Sequence, residues 1–161
     1  MLHPKWSEGR YARSVGNGRD VALLKLNEPS FKQPIKIASR KTLTVGERLR
    51  FVGMGRVSSS GAFAQELNIM TLDAADPETC QQEYPGGVAS DILCVGGEAA
   101  DFCVGDDGDP LFRTSSNRDI LVGIAHLKHP SAGCGTRGIP GLYANAAKLR
   151  KWIRRTRNNQ F

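Results

Sequence analysis

The residues of this chain best suited to chemistry are carboxylates. Three of them, Asp106, Asp107 and Asp109, crowd into the run Cys103-Val104-Gly105-Asp106-Asp107-Gly108-Asp109-Pro110-Leu111. Carboxylate oxygens suit hard cations. The run lacks the spacing of a calcium loop such as D-x-D-x-D-G, so no metal is expected there. His126 and His129 stand three apart in a loop, which is weak ground for ligation, and they are read as plain loop residues. An enzyme built on the acidic cluster would need a positioned base, and none is visible. No cofactor motif is present, so no cofactor is expected.

These residues need elements to hold them. Strand-like runs fall at Val21–Leu26, Arg48–Met54, Glu66–Leu72, Ile92–Val95, Pro110–Arg113, Ile120–Ala125 and Gly141–Tyr143. Each is bounded by Gly, Pro, Ser, Asn or Asp. A short helix is predicted from a cap at Asp76 with Pro77 at its first position and Thr79–Tyr84 as its body. A terminal helix over about residues 146–157 is predicted from a cap at Asn145 and an apolar stripe of Leu149, Trp152 and Ile153. Short strands at regular spacing argue for an all-β barrel or sandwich closed by that helix.

The 161 residues allow one ordinary domain or a compact two-lobed one, with 40% apolar and 24% charged residues. The 18 glycines and 8 prolines suit many short strands better than long helices. No apolar run approaches a membrane span, and Met1 to Trp6 forms no signal-peptide core. The net charge of +6 invites a nucleic-acid reading. That excess is concentrated in Lys148, Arg150, Lys151, Arg154, Arg155 and Arg157, read as the solvated face of the terminal helix. No nucleic-acid motif supports it. Cys80, Cys94, Cys103 and Cys134 form no C-x-x-C pair. They read as two disulfides in an oxidising compartment, with three pairings open.

The run from Cys103 to Leu111 closely resembles the nucleophile loop of trypsin-like serine proteases, whose Gly-Asp-Ser-Gly-Gly-Pro segment presents the reactive serine. Asp20-Val21-Ala22-Leu23-Leu24-Lys25-Leu26 resembles the segment that opens with the triad aspartate. Gly53-Met54-Gly55 is similar to the family's Gly-Trp-Gly turn. Cys134-Gly135 with Pro140-Gly141-Leu142-Tyr143 resembles the strand closing the specificity pocket. The likeness runs along essentially the whole chain. It implies a chymotrypsin-like antiparallel β-barrel with a C-terminal helix and disulfides Cys80–Cys94 and Cys103–Cys134. Residues to about 40 read as a remnant of a first barrel, about 41–145 as a complete second barrel, and the chain as N-terminally truncated.

The departures from that pattern bear on function. The resemblance puts the oxyanion donors on the backbone of Gly105 and Asp107, around Asp106. Yet the nucleophile position is Asp107, and the last glycine of the run is Asp109. A carboxylate attacking an amide would have to form an anhydride, and its charge would repel an oxyanion. Only nineteen residues precede Asp20, and His3 among them matches a later loop, so the general-base histidine is expected to be absent. Asp101 takes the position that selects basic side chains. The pocket wall reads His126-Leu127-Lys128, with Gly141 on the closing strand. Lys128 is expected to fill the pocket entrance and reach Asp101 as an ion pair, leaving Asp101 a relic. His126 is expected beside Asp20.

Asp20–Ile37 (DVALLKLNEPSFKQPIKI) and Leu93-Cys94-Val95-Gly96-Gly97-Glu98-Ala99 are similar to segments of the glucanase inhibitor proteins. These are secreted, inactive trypsin-like homologues that plant pathogens use against host endoglucanases. The resemblance implies a secreted monomer with no catalytic residues, binding a host glucanase or other hydrolase through the loops Val57–Gln65 and His126–Gly133. The rival expectation is a truncated fragment of a trypsin-like endopeptidase. Neither nucleic acid nor membrane is an expected partner.

Overall fold

The computed structural model describes residues 1–5, 18–40, 42–84, 86–116, 118–129 and 131–160. Trp6 lies outside the described residues. The described strands are β1 (Lys36–Ile37), β2 (Arg48–Gly53), β3 (Asn68–Asp73), β4 (Ile92–Val95), β5 (Pro110–Ser115), β6 (Arg118–Leu127) and β7 (Gly141–Asn145). Two helices join them, α1 (Pro77–Glu83) and α2 (Ala146–Gln160). The strands form one sheet in the order β3-β2-β5-β6-β7-β4, curled into a half-barrel, with every pairing on this path antiparallel.

β6 organises the sheet because it is long enough to serve three neighbours. Along one edge it pairs with β5 from Arg118 to Ile124. Along the other, β1 lies parallel at Ile120 and Leu121, and β7 takes over at Gly123. β2 alternates inward and outward, sending Leu49 and Phe51 into the barrel, as expected of a half-buried strand. β7 is buried at all five residues because both of its faces are covered. Leu142 faces the α1 cluster with Cys80, Tyr84 and Ile92. Tyr143 faces the barrel core with Phe51 and Phe102, at ring-centroid distances of 6.1 and 5.1 Å. Ala144 packs with Leu149 of α2 and Val21.

Both helix caps form as the sequence predicts. The Asp76 carboxylate accepts from the Glu78 N–H at 2.9 Å. The Asn145 side-chain oxygen accepts from Ala147 and Lys148 at 3.1 and 3.3 Å. Helix α2 continues to Gln160, three residues past its expected end. Both disulfides pair as the resemblance implies, Cys80 with Cys94 and Cys103 with Cys134.

One predicted strand does not form. Val21–Leu26 carries a single bridge, Ala22 to Leu2. Among the described residues, Met1 to His3 run beside it, with hydrogen bonds from the Leu23 N–H to Met1 and from the His3 N–H to Val21. A strand needs a continuous partner for its ladder. Val21 is buried, but the later apolar residues of the segment point outward, leaving Leu24 86% and Leu26 64% exposed. The strand reading also missed β1, whose two residues carry too little periodicity to register.

Candidate functional site

The run that dominates the sequence is a loop with two glycine corners, Gly105 (φ +95°) and Gly108 (φ +93°), on either side of Asp106-Asp107. Positive φ of this size favours glycine. The corners turn Asp106 inward and leave Asp107 exposed. The loop is stitched down by Gly108 N–H to Ala125 at 3.0 Å and Ala125 N–H to Asp109 at 2.9 Å. The Cys103–Cys134 disulfide ties its start to the opposite wall.

Asp106 is almost fully buried. Its carboxylate accepts from the Gly55 N–H at 2.5 Å and the Cys103 N–H at 2.7 Å. Charge-assisted bonds of this kind make burial of a carboxylate tolerable. The Gly53-Met54-Gly55 turn forms the cradle. A Cβ on Gly55 would lie 2.4 Å from the Asp106 carboxyl carbon, and one on Gly53 would lie 2.3 Å from its oxygen and 2.9 Å from Asp109. Partial burial, then the neighbouring Asp106 charge and a hydrogen bond to it, push the Asp109 carboxyl above the usual carboxylate range. Sequence reading had the Gly-x-Gly turn but not its purpose, because no local signal shows which buried group a glycine must clear.

The Asp107 carboxyl is raised by partial desolvation. Lys128 and His126 pull its affinity for protons down, while Asp106 and Asp20 push it up. The fold thus brings Asp20, His126 and Asp107 within electrostatic reach of one another. His126 is buried, with Nδ1 3.4 Å from the Asp20 carboxylate. Burial lowers its pKa and outweighs the raising effect of Asp20.

Asp101 sits against β7 on a cleft of about 500 Å³ shared with Gly53, Arg56, Asp106 and Gly135. Its carboxylate accepts from Phe102 N–H at 2.8 Å and lies 3.3 Å from the Tyr143 hydroxyl, which donates to it. A Cβ at Gly141 would lie 2.4 Å from its oxygen, so glycine there makes the space. Burial pushes the Asp101 pKa up to about 7, against opposing hydrogen bonds and the charge of Lys128. Tyr143 is the residue sequence reading missed, although it stands in the segment singled out for the pocket.

The expected ion pair between Lys128 and Asp101 does not form. The Lys128 ammonium lies 3.5 Å from the Cys134 sulfur instead, and Lys128 is not part of the lining of the Asp101 cleft. It acts on Asp101 only at longer range. Leu127 stays in β6 and pairs with Leu142. The Val57–Gln65 loop meets the residue just after the His126–Gly133 loop, where the Cys134 N–H donates to the Ser59 hydroxyl at 2.8 Å. Phe63 lies against the Gly105 corner and carries the Arg56 guanidinium 5.2 Å from its ring centre. Met54, Val57, Phe63 and Val104 are exposed apolar side chains around this junction.

Comparison with known proteins agrees with this geometry. The solved structure of neuropsin, a serine protease expressed in the limbic system of mouse brain, superposes with a TM-score of 0.81. It is 24% identical and the match covers 97% of this chain and 69% of that one, which shows the chymotrypsin-like fold. Phenoloxidase-activating factor 1 of Holotrichia diomphalia is 32% identical over 163 residues, 95% of this chain and 42% of that protein. Glucanase inhibitor protein 3 of Phytophthora infestans is 34% identical over 147 residues, 87% of this chain and 55% of that protein. The chain therefore spans about half the length of these relatives. No helix among the described residues is long and apolar enough to cross a membrane. The trypsin family model matches residues 1–153, and the chain belongs to the trypsin family.

Proposed function

We propose that this chain is a non-catalytic serine protease homologue that works by binding, as a secreted inhibitor of an endo-β-1,3-glucanase. The observation that carries the reading is Asp107, exposed at the nucleophile position of an otherwise well-built loop. A carboxylate there has no productive route through an acyl intermediate and opposes oxyanion formation. The likeness to glucanase inhibitor protein 3 supports the choice of target. The two disulfides support an extracellular setting.

Within this reading, residues to about 40 belong to a first barrel and about 41–145 to a second, and the chain acts as a monomer. The binding surface is the junction of the Val57–Gln65 and His126–Gly133 loops. Its exposed Met54, Val57, Phe63 and Val104 form an apolar centre, as protein interfaces use. A stable complex would bury on the order of 1,200–2,000 Å². A second reading, part of an active trypsin-like endopeptidase, is favoured by Asp101 standing intact beside Gly141 and Tyr143.

Arg- and Lys-directed ester substrates and a serine-reactive phosphonate separate the two. The inhibitor reading expects neither turnover above buffer nor covalent labelling. Either signal supports the endopeptidase instead.

A further inference from the structure

Resting on the reading that the chain works by binding, we propose that Arg56, stacked on Phe63, anchors the partner by taking one side-chain carboxylate from its surface. Arg56 and Phe63 face each other across an isolated antiparallel bridge. The turn between them is closed by hydrogen bonds from Val57 N–H to Ala62 and from Gly61 N–H to Ser58, both at 3.1 Å. Its ends are tied down by Ala64 N–H to Gly55 at 3.0 Å and by Arg56 N–H to Val104 at 2.9 Å. The Phe63 ring packs on Gly105, where a Cβ would lie 2.7 Å from it. The segment read as a loop is thus a small hairpin, and it holds its arginine in place before any partner arrives. Such preorganisation lowers the ordering cost of binding.

The guanidinium on this hairpin lacks an acid. Arg56 is half-buried, 5.2 Å from the Phe63 ring centre, and its Nε is buried with no hydrogen-bond partner among the described residues. No described carboxylate lies within ion-pair distance of it, whereas Arg19, Arg40, Arg48, Arg113 and Arg137 each have one. Arg50, stacked on Phe112 in the same way, donates to the Thr114 hydroxyl at 3.5 Å. Two carboxylates share a cleft with Arg56, but both are satisfied elsewhere. Asp106 accepts from Gly55 and Cys103, and Asp101 from Phe102 and Tyr143. A half-buried cation without a counter-charge is costly, and a partner acid removes that cost. Met54, Val57, Phe63 and Val104 are exposed around it. An arginine and an aromatic ring inside an apolar rim that excludes water is the make-up of an interface hot spot. A carboxylate meets the guanidinium fork in two parallel bonds with one charge against one. A phosphate dianion would bring uncompensated charge into the same apolar surround.

Two measurements test this. In the first, the Nε–H signals of Arg56 and Arg50 are followed by NMR while the folded chain is titrated with capped Leu-Glu-Leu or capped Leu-Gln-Leu. Arg56→Lys assigns the Arg56 signal. A saturable shift of Arg56 with the Glu peptide is expected, weakening with salt, with none from the Gln peptide and none at Arg50. No saturable shift, equal responses to the two peptides, or an equal shift at Arg50 would overturn the assignment. In the second, binding to a plant endo-β-1,3-glucanase is measured for the unsubstituted chain, Arg56→Gln, Arg56→Lys and Lys25→Gln. Arg56→Gln should weaken it about tenfold or more, and Lys25→Gln, with the same charge change elsewhere, less than about twofold. Arg56→Lys keeps the charge but loses the fork, so its loss should be intermediate. It also covers the case in which Arg56→Gln fails to fold. Glucanase binding that neither Arg56 variant weakens would overturn the anchor and leave the inhibitor reading standing. If the unsubstituted chain does not bind the glucanase, the inhibitor reading fails, and the peptide titration alone decides the role of Arg56.

Discussion

His126 Nδ1 lies 3.4 Å from the carboxylate of Asp20, joining the end of β6 to the segment that failed to become a strand. The imidazole is buried and its pKa lies below 6.5 despite that neighbour, because desolvation dominates. The unfolded chain therefore binds a proton more readily than the folded one. The stability this site contributes is complete above about pH 6.5 and is lost as pH falls toward the folded value.

Asp20→Asn removes the charge that opposes desolvation, so the His126 pKa should fall further. Proton NMR of the three histidine ring signals, with His126 assigned by His126→Gln, measures it. A rise on substitution, or a His126 midpoint above 6.5 in the unsubstituted chain, contradicts the account.

Asp101 carries the opposite sign. Its folded pKa of about 7 exceeds the ordinary 3.8, so its contribution is fully present below about pH 3.8 and is lost as pH rises toward 7. Asp101→Asn keeps an oxygen to accept from Phe102 and Tyr143 while removing the buried charge. Relative to the unsubstituted chain, it should gain on the order of 2–4 kcal/mol between about pH 4 and pH 8. Urea denaturation at the two pH values reads this difference. A pH-independent effect would mean that Asp101 titrates normally.

Gly55→Ala tests the cradle under the acidic loop. Its methyl would sit 2.4–2.6 Å from all three Asp106 carboxyl atoms, and that carboxylate is held by two backbone donors. The substitution should cost about 2–3 kcal/mol in denaturant unfolding. A loss below about 0.5 kcal/mol would mean that the Asp106 carboxylate is not fixed where the geometry puts it.

Much of this was readable before the structure, for specific reasons. The Asp76 and Asn145 caps are local signals, and both formed. The strands β2, β4, β5, β6 and β7 carry their own periodicity. Val21–Leu26 carries it too, but periodicity reports only a wish to bury one face. Whether a neighbour covers that face is a tertiary fact. The close spacing of Asp101 and Tyr143 was invisible because it joins residues 42 apart. Lys128 was misjudged similarly: its charge suggested Asp101, while the disulfide placed the Cys134 sulfur nearer.

The central claim is that the chain binds and inhibits a secreted glucanase without chemistry of its own. The most direct measurement is the rate of laminarin hydrolysis by a plant endo-β-1,3-glucanase titrated with the folded, disulfide-bonded chain, with co-precipitation followed in parallel. The account predicts a saturable, stoichiometric fall in rate, with intact glucanase recovered in the complex and the inhibition weakened by Phe63→Asp at the loop junction. An unchanged rate with no complex, or a fall accompanied by cleavage of the glucanase, would contradict it.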